Sequence, residues 1–183
     1  MCPLAEILHN EGYHLSGSDN TETDTLARIR DMGIPVTLGQ KADNIGLSPT
    51  EVAILASIVD EESSKASEKP IIAGLYLNRL KKGMLLQADP TVKFAVGDIT
   101  LKRILYTHTE IDSPYNTYKY AGLPPGPLRI PDKQTLDAVL NYTHHNFLYM
   151  CAKDDLSGYH NFANTLAEHN RNAQKYHRAI SRL

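Results

Sequence analysis

The clearest hydrophobic pattern of the chain lies in residues 48–68, which read SPTEVAILASIVDEESSKASE. Ser48, Pro49 and Glu51 give a helix-start signal, because serine caps helices, proline fits the first turn and S-x-x-E matches a capping box. At about 100° per residue, one side of this helix collects four aliphatic side chains: Val52, Leu55, Ile58 and Val59. We therefore predict an amphipathic helix that starts at Pro49.

Glu62 falls within the apolar stripe of this helix. With Leu55 taken as the origin, Glu62 projects at about −20°, whereas Asp60 and Glu61 project at about 140° and 240°, towards the polar flanks. A carboxyl group among aliphatic side chains loses hydration, which raises its pKa and suits a general acid that works near neutral pH. The structural alternative is an ion pair between Glu62 and a core arginine such as Arg79.

The first 45 residues have the pattern of an incomplete βαβ unit. Residues 4–10 and 23–33 are predicted as helices, and residues 13–19 and 34–40 as strands. A nucleotide-binding unit of this kind normally opens with a strand and a glycine-rich turn. That opening does not precede the first helix here, so a working nucleotide site is not expected.

From about Leu47 the composition changes. Helical patterns come first, strands and loops follow, and the chain ends in the helical pattern TLAEHNRNAQKYHRAI. This order predicts an α+β domain over residues 47–183 with a helix-rich start and a small mixed or antiparallel sheet. The predicted division is therefore residues 1–45 and residues 47–183.

Two polar residues stand close together in the segment LLQADPTV. We predict a strand here, on which Gln87 and Asp89 would share one face because side chains two residues apart point the same way. Both residues are candidates for positioning a ligand, and Asp89 is a candidate second carboxylate. The alternative role of Asp89 is to cap the turn made by Pro90.

The segment SPYNTYKYAGLPPGP combines Tyr115, Asn116 and Tyr118 with prolines that stiffen the backbone. A stiff loop that carries an amide and aromatic rings suits sugar binding, although a purely structural turn is the alternative. His160, in GYHNF, is a further candidate, either as a groove residue or as a structural histidine.

Composition sets limits on the function. The chain has 183 residues, 42% of them hydrophobic and 22% charged, as in ordinary globular proteins. A net charge of −2 gives no support for nucleic-acid binding. The two cysteines, Cys2 and Cys151, have no metal-binding spacing. No apolar run reaches the ~18–20 residues of a membrane helix, and we expect no signal peptide.

Several motifs occur together in one order: ASIVDEES, IIAGLYLNRLKKGMLLQADPTV, SPYNTYKYAGLPPGP, FLYMCAK, GYHNF and TLAEHNR. In this order they resemble the YceG-like, MltG-type transglycosylase family, from Leu47 to about Tyr176. The family's catalytic glutamate falls on Glu62, in agreement with the face calculation. One departure is Asp60-Glu61 where the family has Glu-Lys, which removes a positive charge beside the acid.

The resemblance implies an endolytic peptidoglycan lytic transglycosylase with a glycan groove. Glu62 would be its catalytic acid, and its substrate-binding residues would be Gln87, Asp89, Tyr115, Asn116, Tyr118 and His160. It implies non-hydrolytic cleavage to 1,6-anhydromuramoyl ends, with no metal and no cofactor, and termination of nascent glycan strands. Peptidoglycan strands are the expected partner, and cell-wall synthesis enzymes are candidate partners. Family members act on the outer side of the cytoplasmic membrane, through an anchor that we do not expect in this chain.

The first 45 residues resemble a different family. LAEILHNEGYHLSGSD and GIPVTLGQKADNIG are similar to the start of UDP-N-acetylmuramate–L-alanine ligase, and Asp19 is the position that could correspond to its acidic residue. Three alternatives to the transglycosylase therefore stay open. They are a non-catalytic peptidoglycan-binding module, a UDP-N-acetylmuramate-binding ligase fragment, and a hydrolase that uses Asp89 as its second carboxylate.

Overall fold

The computed structural model describes residues 17–19, 28, 31, 36–38, 45–98, 101 and 103–182. The chain divides into two compact units, Met1–Pro49 and Thr50–Leu183. The change in composition near residues 45–47 lies just before this division.

The first unit contains two short strands, β1 (Gly17–Asp19) and β2 (Val36–Leu38). They pair in parallel, with Gly17 opposite Val36 and Asp19 opposite Leu38. Each strand lies inside one of the two predicted strands, and parallel pairing is what a βαβ connection produces. The helix predicted over residues 4–10 lies outside the described residues, as does most of the one predicted over 23–33.

The second unit is a helix-rich α+β domain, as the sequence predicts. Its helices and strands, in chain order, are α1 (Pro49–Glu62), α2 (Lys69–Lys81), α3 (Asp89–Val96), α4 (Tyr106–Thr109), α5 (Lys133–Leu140), β3 (Tyr149–Ala152), β4 (His160–Ala163) and α6 (Leu166–Ile180).

Helix α1 is the central element of the second unit. It begins at Pro49, as predicted, and ends at Glu62. The predicted apolar stripe is buried, and so are Ile54, Ala56 and Ser57 on other sides of the helix. The Ser57 hydroxyl donates to Ile54 O (2.7 Å) and accepts from Leu128 N (2.9 Å). Leu128 follows the proline-rich loop SPYNTYKYAGLPPGP, and this hydrogen bond holds it against α1. Helix α1 is therefore covered on more than one side.

Helix α2 packs closely against the segment 142–145. Thr143 N donates to Pro70 O (3.0 Å), and His145 Nε2 lies 2.8 Å from Ile71 O. A Cβ atom added to Gly74 would lie 2.5 Å from Thr143 O and 2.8 Å from His145 Nε2. Glycine is therefore required at this position for the backbone of the segment to approach the helix.

Strands β3 and β4 form an antiparallel pair in which Met150 lies opposite Phe162 and Ala152 opposite His160. Helix α6 packs against both strands and begins after Thr165, whose side chain accepts from Glu168 N. Within the described residues, none of the helices combines the length and the apolar character that crossing a bilayer requires.

Replacing Gly74 with alanine tests the close packing of α2. Helix propensity alone predicts a gain of about 1 kcal/mol for this change. The contact with the backbone oxygen of Thr143 instead predicts a net loss of about 1–3 kcal/mol, measured by urea denaturation.

Gly97→Ala provides the comparison for this experiment. Gly97 has a φ of +75° and open space around the added Cβ, so its replacement costs roughly 1 kcal/mol of backbone strain alone. A gain in stability for Gly74→Ala would contradict the described packing.

Candidate active site

A cavity of about 240 Å³ lies where α1, α2, the start of α3 and the β3–β4 pair meet. Five of the seven residues predicted as site residues line it: Glu62, Gln87, Asp89, Tyr118 and His160. Tyr76 and Arg79 of α2 and residues 150–152 of β3 complete most of the wall. The structure therefore brings together residues that are up to 98 positions apart in the chain.

Glu62 is the last residue of α1, and its carboxyl group lies in a partly dehydrated position. Burial raises its pKa from 4.5 to about 7. A hydrogen bond from the Tyr76 hydroxyl to Glu62 Oε1 lowers the pKa, Asp89 raises it and Arg79 lowers it, each by less than burial does. A carboxylic acid with this pKa is a competent proton donor and acceptor near neutral pH.

Arg79 does not form the ion pair with Glu62 that the structural alternative requires, within the described residues. Its Nε donates to Leu148 O (2.6 Å), and its Nη1 donates to Leu85 O (3.0 Å) and Leu86 O (2.9 Å). The guanidinium is therefore occupied by backbone carbonyls and holds the cavity wall together. Glu62 is left as a desolvated acid rather than as one half of a salt bridge.

Tyr76 is the most important residue that the sequence analysis missed. Its side chain is 1% exposed, and its hydroxyl donates to Glu62 Oε1. Burial raises the pKa of Tyr76 well above its ordinary value, and the Glu62 carboxylate raises it further, so the hydroxyl keeps its proton. The i, i+3 spacing of Tyr76 and Arg79 on α2 is the sequence signal that would have placed both on one face.

The prediction that Gln87 and Asp89 lie on a strand is wrong. Gln87 has a left-handed backbone conformation (φ +51°), and Asp89 is the first residue of α3. The reason is that proline at position 90 lacks an N–H and fits the first turn of a helix, where an aspartate is also favoured by the helix dipole. Both residues nevertheless line the cavity.

Tyr118 links the proline-rich loop to the start of α3. Its hydroxyl donates to Asp89 Oδ1 (2.5 Å). Burial and this hydrogen bond raise the pKa of Tyr118, so it stays a donor. The Gln87 side chain accepts from Arg79 Nη1 (3.2 Å). Two candidate positioning residues are thus held in place by neighbours that also line the cavity.

His160 reaches the cavity from β4 and is held by Glu68. The Glu68 side chain is buried (4% exposed) and accepts from His160 N (2.8 Å) and from His160 Nδ1 (3.0 Å). Ser63 Oγ donates to the same carboxylate (3.2 Å). This fixes the imidazole, and no described residue bonds its Nε2 atom. Nothing in the sequence around Glu68 predicted this pairing across 92 positions.

Two predicted site residues lie outside this cavity. Asn116 is fully buried (0% exposed), and its Nδ2 donates to Thr109 O (2.9 Å) and Ile111 O (2.8 Å). Its Oδ1 accepts from Tyr118 N (3.0 Å), so Asn116 shapes the loop that carries Tyr118 and has no surface to offer a ligand. The Tyr115 ring packs on Phe94, with centroids 4.6 Å apart.

Asp60 lies on a polar flank of α1, as the helix count predicts, but this flank is buried. Its side chain is 3% exposed and accepts from Lys69 Nζ (2.5 Å) and Thr135 Oγ1 (2.7 Å). The helix count gives its direction correctly, but α5 and the start of α2 cover that flank. Glu61 does face solvent, where it pairs with Arg129 (2.9 Å).

Glu62 and Asp89 also line a second cavity of about 290 Å³, together with residues of α3 and with Leu101, Arg103 and Ile104. The acid therefore stands between two recesses. Among the described residues there is no group of three His, Cys, Asp or Glu side chains that could hold a metal ion. Proton transfer by Glu62, with Asp89, Tyr118 and His160 as polar neighbours, is what this arrangement can perform.

Fold and site together define a helix-rich α+β domain built around one desolvated carboxylic acid. The chain belongs to the YceG-like family, whose sequence pattern matches residues 7–175. It is 34% identical to a YceG-like protein from Listeria monocytogenes, with a TM-score of 0.66 over 80% of this chain and 44% of that one.

Curated relatives agree with this assignment. The chain is 42% identical to an endolytic murein transglycosylase of Bacillus subtilis (strain 168), over 95% of this chain and 48% of that protein. It is 35% identical to one from Streptococcus pneumoniae serotype 2 (strain D39), over 71% of this chain and 24% of that protein. The chain thus spans about half of the first relative's length and about a quarter of the second's.

A shorter similarity is to the ligase family that the start of the chain resembles. UDP-N-acetylmuramate–L-alanine ligase of Legionella pneumophila (strain Corby) is 43% identical over 60 residues, which cover 33% of this chain and 12% of that protein. The YceG-like match begins at residue 7, so the family pattern also extends into the segment before residue 45.

Replacing Glu62 with glutamine tests the burial of its carboxyl group. The pKa of Glu62 rises from 4.5 to about 7 on folding, so between these two pH values the unfolded chain has lost a proton that the folded chain keeps. Folding stability therefore falls as the pH rises from 4.5 to 7, by up to roughly 3 kcal/mol. Glutamine cannot ionise, so the variant should be more stable than the parent at pH 8 and equally stable at pH 4. Urea denaturation at the two pH values measures this difference.

Glu61→Gln is the matched control, since Glu61 is exposed and pairs with Arg129. Loss of this exposed ion pair should lower the free energy of unfolding by at most about 1 kcal/mol. Equal effects of Glu62→Gln at pH 4 and pH 8 would show that Glu62 is not desolvated.

Proposed function

We propose that this chain carries the catalytic part of an endolytic peptidoglycan lytic transglycosylase, with Glu62 as the catalytic acid and base. The observation that carries the proposal is a single glutamic acid with a pKa near 7 at the junction of two cavities. The two relatives named endolytic murein transglycosylases support it.

The reaction needs one group that first gives and then takes a proton. Protonated Glu62 donates to the glycosidic oxygen that leaves N-acetylmuramic acid, as the bond from this oxygen to the anomeric carbon breaks. The resulting carboxylate accepts the proton of the C6 hydroxyl of the same sugar, and that oxygen bonds to the anomeric carbon. The proton count balances, no water is consumed, and the product is a 1,6-anhydro end. An intramolecular nucleophile is already placed for attack.

The neighbours of Glu62 have roles that follow from their contacts. Tyr76 holds Oε1 and so leaves the other carboxyl oxygen to face the substrate. We assign substrate positioning to Gln87, Asp89, Tyr118 and His160, all of which line the cavity. Tyr115 and Asn116 are left out of this set, because one packs on Phe94 and the other is buried in its loop.

Endolytic cleavage requires room for the substrate on both sides of the bond that breaks. Glu62 and Asp89 line both the 240 Å³ cavity and the 290 Å³ cavity. A substrate bound at Glu62 can therefore extend into either cavity. We propose that the natural substrate is a nascent, uncrosslinked glycan strand, whose growth the cut would end.

We further propose the cellular setting of the family for the whole protein: the outer side of the cytoplasmic membrane, with cell-wall synthesis enzymes as partners. Residues 1–45 are proposed to be a ligase-like fragment before a catalytic domain of residues 47–183. The division of the chain into two compact units between Pro49 and Thr50 supports this boundary.

A hydrolase is the second candidate, because Asp89 is a carboxylate in the same cavity as Glu62. Such an enzyme would use Asp89 to activate a water molecule or to form a covalent intermediate. The two candidates give products that differ in mass by one water molecule.

Mass spectrometry of products from uncrosslinked glycan strands tests the proposal. The parent chain should release fragments with 1,6-anhydromuramoyl ends. Glu62→Gln should reduce the rate at least about a hundredfold, since loss of a general acid and base typically costs 10²–10⁴. Glu110→Gln, at an exposed glutamate outside the cavities around Glu62, should keep most of the activity.

Products with reducing ends, one water heavier, would establish the hydrolase instead. Strand binding without cleavage by the parent would make the chain a peptidoglycan-binding module. Unchanged cleavage by Glu62→Gln would remove Glu62 as the acid.

A further inference from the structure

The second cavity beside Glu62 differs in character from the first. Besides the two acids that it shares with the first cavity, it is lined by Glu61 of α1, by Pro90 and Lys93 of α3, and by Leu101, Arg103 and Ile104. Lys93 is one helical turn after Asp89, so it projects from the same face of α3. Two cations and two aliphatic side chains therefore line the same cavity as the catalytic acid.

The three carboxyl groups of this cavity already have hydrogen-bond partners. Glu61 is paired with Arg129 (2.9 Å), Asp89 accepts from the Tyr118 hydroxyl (2.5 Å), and Glu62 accepts from the Tyr76 hydroxyl. Neither Lys93 nor Arg103 makes a hydrogen bond or an ion pair with any residue that the structure describes. Lys93 and Arg103 are thus the charged groups of this wall that are left to bind a carboxylate of a ligand.

A third cavity shares part of its wall with the second one. It has a volume of about 370 Å³, has Glu61, Pro90 and Lys93 in common with the second, and adds Phe94, Gly97, Asp98 and Leu128. Lys93 therefore stands between a recess beside the acid and a mostly apolar one. A ligand that fits both recesses has small apolar groups and at least one carboxylate, and is longer than a single sugar.

We propose that the second and third cavities bind the peptide branch of the glycan substrate, with Lys93 and Arg103 as the residues that recognise its carboxylates. This inference rests on the proposed function, because the branch is attached to the muramic acid next to the cleaved bond. The peptide of peptidoglycan starts from a lactyl group and contains alanines and carboxylates, which match the aliphatic walls and the unpaired cations. Charge-assisted bonds to carboxylates are the strong class of hydrogen bond.

The experiment measures binding in a protein that cannot turn over its ligand. In a Glu62→Gln background, the Kd is measured for uncrosslinked glycan strands that carry their peptides, and for strands of the same length from which an amidase has removed them. We expect the peptide-bearing strands to bind about tenfold more tightly. Adding Lys93→Gln and Arg103→Gln should bring the ratio of the two Kd values to about one. Raising the salt concentration should also lower the ratio of the two Kd values in the Glu62→Gln protein.

Arg171→Gln with Lys175→Gln is the matched control. Both residues are exposed on α6 and lie outside the three cavities, and their replacement removes the same two charges. This control should keep the tenfold ratio. Equal Kd values for the two kinds of strand in the Glu62→Gln protein would overturn the inference. So would a Lys93/Arg103 variant that weakens both kinds of strand equally and keeps the ratio.

The outcome is separate from that of the proposed function. Suppose that the peptide preference depends on Lys93 and Arg103 but the unsubstituted chain does not cleave strands. That result would support the subsite and refute the catalytic proposal. Anhydro products from a parent that shows no peptide preference would do the reverse.

Discussion

The burial of one carboxyl group, at the last residue of α1, is the constraint on which the candidate site depends. Helix α1 is buried along most of its length, so its end delivers Glu62 into low-dielectric surroundings and raises its pKa to about 7. The cost of that burial is only partly offset by the hydrogen bond from Tyr76. Destabilising groups of this kind persist where chemistry needs them, and the other polar residues of the cavity are arranged around this one.

A second layer of contacts gives the site its shape. Arg79 binds backbone carbonyls of the segments that precede α3 and β3, while Glu68 fixes His160 on β4. Asn116 likewise fixes the loop that carries Tyr118, by accepting a hydrogen bond from Tyr118 N. The cavity therefore consists of separate segments that buried polar side chains hold in register, which is how a small sheet and short helices can give a defined geometry.

The sequence predicted the parts of the site that depend on local periodicity. Glu62 was located by a helix count, because one helix with a clear start has a fixed angular repeat. The strand predicted for Gln87 and Asp89 failed, because Pro90 starts a helix that a short apolar run does not reveal. The role of Glu68 and the burial of Asp60 could not be predicted, since each depends on which element covers a given flank, and that is decided by tertiary packing.

The most direct measurement is a pH titration of the Glu62 carboxyl group by ¹³C NMR, with the signal assigned from its absence in the Glu62→Gln variant. A midpoint of about 7, as the burial of this group predicts, would establish a desolvated acid that carries a proton near neutral pH. A midpoint near 4.5, the ordinary value for glutamate, would mean that the carboxyl group is hydrated. In that case Glu62 could not serve as the proton donor on which the site depends.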